Sequence, residues 1–280
     1  MAQILRPGAS YSSITKMTDD YLNQQRQNLP RLDNNPMSYG NPTKLITFYG
    51  VTHTHQYDTQ PETIKRIIQT LPSTSCIILE GDQPPDDVLN NSEKAIEYGE
   101  NAYAAYCVKQ RNLEFKFPED GIRNDFLSKV PAINKVSNSC LHGLRHFYRS
   151  DHKSLQEFME RAVKNANETF QIDPKITHLA VKKQICEALL LDEKTAYEQI
   201  SLEKPDSNQP ILKKIISQLN PNDDNPKSVI TQFEKDLSNH RERLLMKEIE
   251  STYKQNRPCF IVYGYGHLQV NHRMLETSFV

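Results

Sequence analysis

Two apolar runs, more than two hundred residues apart, end in the same way. One begins near Leu45 and closes in Thr47-Phe-Tyr-Gly-Val-Thr-His53-Thr-His55; the other, Cys259-Phe-Ile-Val-Tyr263, leads into Gly264-Tyr-Gly-His267. Both are short, rich in β-branched and aromatic residues and bounded by glycine, which is the pattern of a buried strand. In α/β proteins the groups just past the carboxyl ends of strands line the ligand crevice. A glycine at the strand exit allows a sharp turn, and the histidine that follows is then offered to that crevice. A third Gly-x-x-His, Gly143-Leu-Arg-His146, follows no strand-like run. Two histidines placed alike at two strand ends predict one shared site.

The stretches between these runs extend the same plan. A strand is expected over 44–49, a helix over 61–71 with Pro61 in its first turn, and a second strand over 75–80 ending at Gly81. Strand, helix, strand at this spacing is a βαβ unit, so the two strands run parallel. Glu80 then stands at the same carboxyl edge as His53. One long helix is expected over about 92–112, and a third strand over 113–117 runs into Pro118-Glu119-Asp120. Between about 125 and 225 the period changes to 3.6 residues and proline breaks recur, which predicts a helical insertion. The expected organisation is a polar tail at 1–40, then a single α/β domain over 41–280 carrying that insertion.

The last long helix is expected over about 226–255. Its apolar residues, Ile230, Phe233, Leu237, Leu244, Leu245 and Ile249, form one stripe at about 100° per residue, and Arg241 falls near the centre of it. A buried guanidinium needs carboxylates or an anion beside it, and the edge holding Glu80 can supply them.

Composition narrows the partners. With 34 basic and 35 acidic residues the net charge is −1, so no global field calls for nucleic acid. No apolar run approaches the ~20 residues of a membrane span, and the first 35 residues lack the apolar core of a secretory signal. Five scattered cysteines without a C-x-x-C pair read as reduced thiols. The expectation is a cytoplasmic protein, with delivery into another cell by a specialised secretion system still open.

His53, Glu80 and His267 are ligand types that a divalent cation such as manganese, cobalt, zinc or iron accepts, and His55, Asp82 or Glu119 could add another. Such an ion would lower the pKa of a bound water and make a nucleophile; Glu80 could instead act as general base. Arg241 could stabilise a developing oxyanion, or form a structural ion pair with Glu80 or Glu119. The chain has no Gly-x-Ser-x-Gly elbow, no glycine-rich phosphate loop and no zinc-type cysteine cluster.

Four stretches in order resemble the EreA/ChaN-like superfamily, in particular its TraB/Tiki branch. They are Tyr49-Gly-Val-Thr-His-Thr54, Ile78-Leu-Glu-Gly81, Arg241-Glu-Arg-Leu-Leu245 with Ile249, and Val262-Tyr-Gly-Tyr-Gly-His-Leu268. The helix motif departs from the family's pattern, with Glu242 where Asp or Asn is usual and Leu245 where Met is usual. The resemblance covers residues 44–120 and 228–280. It implies a mixed sheet built of two related βα halves flanked by helices, and a catalytic set of His53, Glu80, Arg241 and His267. Members include metal-dependent peptidases, macrolide esterases and a haem-binding lipoprotein. The expected activity is therefore hydrolysis of a peptide or a small-molecule ester, with a divalent cation as cofactor. The alternatives are a non-catalytic protein that binds haem or another ligand, and a degenerate relative acting as an interaction module or secreted effector.

Overall fold

The run that approaches His53 is a strand, and it lies beside the run that leads to His267. The computed structural model describes residues 17–33, 35–41, 44–51, 60–120 and 229–279, and isolated positions at 126, 128–131, 134, 137, 164, 183, 184, 186 and 187. The elements are α1 (Asp19–Gln27), β1 (Met37–Tyr39), β2 (Ile46–Val51), α2 (Gln60–Thr70), β3 (Cys76–Leu79), α3 (Asp86–Leu89), α4 (Ser92–Tyr98), α5 (Glu100–Gln110), β4 (Glu114–Lys116), α6 (Val229–Lys254), β5 (Cys259–Gly264) and α7 (Tyr265–Ser278). The chain divides into two units, one of Met1–Arg123 with Asn239–Val280, the other of Asn124–Ser238.

The first unit is built on one five-stranded sheet of order β1-β2-β5-β3-β4. β5 pairs in parallel with β2 from Ile46↔Cys259 to Val51↔Gly264 and with β3 from Cys76↔Cys259 to Leu79↔Val262. β4 extends the parallel set beyond β3, while β1 is antiparallel on the far edge. This is a mixed α/β fold, as the alternation of strands and helices predicts. β2 and β3 do point the same way, but β5, the last strand in the chain, separates them.

All six β5 residues are buried, because a central parallel strand is covered on both faces. Its side chains alternate between two cores. Cys259, Ile261 and Tyr263 pack with Leu245, Met246, Ile249 and Tyr253 of α6 and Leu268 and Leu275 of α7. Phe260 and Val262 pack with Ile64 and Ile68 of α2 and Ala104, Ala105 and Val108 of α5. Cys76 and Cys259 are free, fully buried core residues.

Three local expectations change. The helix expected over 92–112 is two helices, because Gly99 between them takes φ +121°, a conformation that side chains resist. The stretch read as a polar tail holds α1, capped by the Thr18 hydroxyl accepting the Tyr21 amide (3.2 Å), and the edge strand β1. Gly50 lies inside β2 rather than in a turn. A Cβ there would stand 3.0 Å from the Tyr265 Cα and 2.8 Å from its ring, so the glycine lets the start of α7 approach the strand.

In the second unit the described positions include a tilted ring contact between Phe126 and Phe233 and a polar chain in which Ser137 donates to Gln184, whose amide donates to Asn134. Most of the stretch expected to be a helical insertion lies outside the described residues. Among the described residues no helix is long and apolar enough to cross a membrane.

Candidate functional site

Because β2, β5, β3 and β4 are parallel, their carboxyl ends share one edge of the sheet, and three acid or base residues meet there. Glu80 directly follows β3, its amide continuing the ladder to the Val262 carbonyl (3.2 Å). Glu119 lies in the turn after β4, and His267 in the first turn of α7, just past β5. Arg241 reaches the same edge from α6.

Arg241 bridges the two carboxylates. Its Nη2 donates to Glu80 Oε1 at 2.5 Å, and its Nε forms an ion pair with Glu119 Oε2 at 2.9 Å. Glu80 Oε2 accepts the Gly264 amide (2.6 Å) at the start of α7, where the helix dipole favours an anion. His267 Nε2 lies 3.4 Å from Glu80 Oε1. Burial alone would raise the Glu80 pKa; the His267 hydrogen bond and charge, Arg241 and the Gly264 amide together hold it well below the usual carboxylate range. Burial likewise works against the Arg241 cation, but Glu119 and Glu80 raise its pKa above the ordinary value.

The other nitrogen of His267 meets Glu242, a residue outside the expected catalytic set. Nδ1 lies 2.8 Å from Glu242 Oε1, and Glu242 is 1% exposed. Asn271 Nδ2 donates to Glu242 Oε2 (2.5 Å), and Arg26 of α1 pairs with Oε1 at 3.4 Å. Arg26 in turn donates to Asn239, which donates to Asp19 (2.8 Å). Burial pulls the His267 pKa down, but the Glu242 charge and hydrogen bond, followed by Glu80, push it up to about 10. With a carboxylate at each ring nitrogen, His267 is an imidazolium at neutral pH.

The signal for Glu242 was present in the helix pattern. Leu245, Met246, Ile249 and Tyr253 stand at i+3, i+4, i+7 and i+11 from it, so Glu242 heads a core-facing row. The stripe drawn through Ile230 and Leu237 hides this, because the buried face turns along the helix. Arg241, singled out from that stripe, is 26% exposed at its side chain.

No protein-family model matches the chain, and neither does any curated protein or solved structure.

The structure therefore brings Glu80, Glu119, Arg241 and His267 together. Asp82 is exposed and lines a cavity of about 270 Å³ that opens beside Glu80, together with Tyr98, Glu100, Asn101 and Phe117. His53 and His55 lie outside the described residues. Among the described residues no group of three or more His, Cys, Asp or Glu side chains is arranged to hold a metal ion. Of the candidate donors, Glu80, Glu119 and His267 meet at this edge, but the Arg241 cation bridges the two carboxylates, 2.5 Å from Glu80 Oε1 and 2.9 Å from Glu119 Oε2. A divalent ion placed there would meet that cation and the imidazolium at close range, so the described donors, as held here, do not fit one.

Proposed function

We propose that this protein is a hydrolase of ester or peptide bonds, with its site at the carboxyl edge formed by Glu80, Arg241 and His267. The observation that carries the reading is the convergence of Arg241 and His267, from two helices, on the single carboxylate of Glu80. Two cations paired with a half-buried anion, Glu80, which also lines the cavity of about 270 Å³, form a preorganised receptor for a developing oxyanion. Their partners are already fixed, so little reorganisation is needed as charge develops.

The roles divide by protonation state. Glu80 has both oxygens engaged and a lowered pKa, so it orients the two cations and is a poor general base. His267 is protonated, and its Nε2–H, held only loosely at 3.4 Å from Glu80 Oε1, is shared with the oxyanion. Arg241 supplies the second charge. The base that takes a proton from the attacking water, and returns it to the departing alkoxide or amine, is His53, the residue that the sequence places after the neighbouring strand. No step is routed through a metal ion. The EreA/ChaN-like arrangement of two related halves belongs to the same proposal. Its support is the side-by-side pairing of β2 and β5, in which Val51 lies opposite Gly264.

The test is a panel of p-nitrophenyl esters of increasing acyl length and of fluorogenic peptides, run with and without chelator. Wild type is expected to turn over at least one ester. His53→Ala and His267→Ala should each lower kcat by about 100-fold or more, and Arg241→Lys, which keeps the charge but loses the planar fork, by about 100-fold. Rates unaffected by His53→Ala and His267→Ala, or no turnover of any substrate, would sink the proposal. Activity abolished by chelator and restored by manganese or zinc would replace the metal-free mechanism with the metal-assisted one.

A further inference from the structure

We infer that Glu242 is the positioning residue of this site, fixing the His267 ring so that Nε2 is presented at the Glu80 edge. The inference rests on the hydrolase reading above and deepens it.

A carboxylate at a core-facing helix position is costly unless its oxygens are satisfied. Two of the groups that satisfy Glu242 bear directly on His267. Oε1 meets His267 Nδ1 at 2.8 Å. Oε2 accepts from Asn271, one helical turn beyond His267, and the same Asn271 amide donates to the His267 carbonyl at 2.8 Å. Glu242 thus grips both the ring and the backbone turn that carries it. Arg26, 4% exposed, supplies the compensating cation from a different part of the chain. The Tyr263 ring and the imidazole pack in a T-shaped contact, with centroids 5.4 Å apart and planes at 82°. One nitrogen tethered and one side of the ring braced leave the ring a single orientation, with Nε2 toward Glu80.

The role is separable from simple core stability. Histidines of the protein labelled with ¹⁵N should give a hydrogen-bonded, slowly exchanging Nδ1 proton for His267, assigned by its loss in His267→Gln. In Glu242→Gln that proton should move upfield and exchange faster, and kcat on a p-nitrophenyl ester should fall about 10- to 100-fold, the size expected for a group that orients a functional histidine, with KM changed less than about twofold. Glu242→Asp should restore part of both readouts. A folded Glu242→Gln that keeps the His267 proton, or loses it with kcat unchanged, overturns the inference. If that variant does not fold, the wild-type spectrum decides: absence of a hydrogen-bonded His267 Nδ1 proton overturns it. If wild type hydrolyses none of the esters, the hydrolase reading falls, while the proton signal and its response to Glu242→Gln still decide whether Glu242 holds the ring.

Discussion

The Tyr263 hydroxyl is buried, and among the described residues it has no hydrogen-bond partner. Burial, then the charges of Glu119 and Glu80, push its pKa well above the ordinary value, so it stays protonated. Its ring does the packing, in T-shaped contacts with Phe48 and His267. Tyr263→Phe keeps those contacts and removes the unsatisfied group, whose desolvation costs about 1–3 kcal/mol. The variant is expected to be as stable as wild type or more so, by up to about 1 kcal/mol in urea unfolding, and to retain the His267 ring position. A loss of stability would mean that the hydroxyl has a partner after all. Glu80, Arg241 and His267 were legible in the sequence because each breaks a local apolar pattern at a strand end or on a helix stripe. Glu242 is legible only from the row Leu245, Met246, Ile249 and Tyr253, and a stripe drawn through Ile230 and Leu237 centres on its neighbour Arg241 instead.

At the level of elements, the expected strands match β2, β3, β4 and β5 to within two residues at each end, because buried β2, β3 and β5 are continuous apolar runs, while the three-residue edge strand β1 lies in the stretch read as a polar tail. Gly99 was read through, since a glycine inside a helical pattern costs only about 1 kcal/mol and does not by itself announce a break. α1 carries one fully buried leucine, Leu22, and buries Gln25 and Arg26 beside it; a helix anchored through polar side chains leaves no apolar period to read. The purpose of Gly50 was also misread, because a close approach between elements distant in sequence has no local signature. Gly50→Ala places a methyl against the Tyr265 backbone, which cannot yield as a flexible side chain would. It should destabilise the fold by about 1–3 kcal/mol, seen as a lower urea midpoint with unchanged m-value. Loss of any ester activity should follow the unfolded fraction.

For the molecule as a whole, the buried ion pairs set a pH signature. Glu80, Glu119 and Glu242 stand against Arg26, Arg241 and His267, three negative charges and three positive with His267 protonated. The folded His267 pKa lies near 10 against an ordinary 6.5. A raised pKa contributes stability that is fully present below the unfolded value and lost as pH rises through the folded one. Urea midpoints should therefore fall progressively between about pH 6.5 and pH 10 in wild type, and that slope should be largely absent in His267→Gln. On the acid side the signs reverse. Glu80 and Glu242, both held low, contribute stability above their unfolded values that is lost as the pH drops through the folded ones.

The placement of β5 has a consequence for how the protein is made. Ribosomes deliver β2 and β3 long before residues 259–264, yet those two strands never pair with each other: each waits for the same late strand to fill the gap between them. Until it arrives, two apolar strands present open edges, the feature that invites wrong pairing. Translation stalled between β4 and β5 should therefore leave a nascent chain that is protease-sensitive and chaperone-bound, and emergence of Gly264 should be the step that releases it.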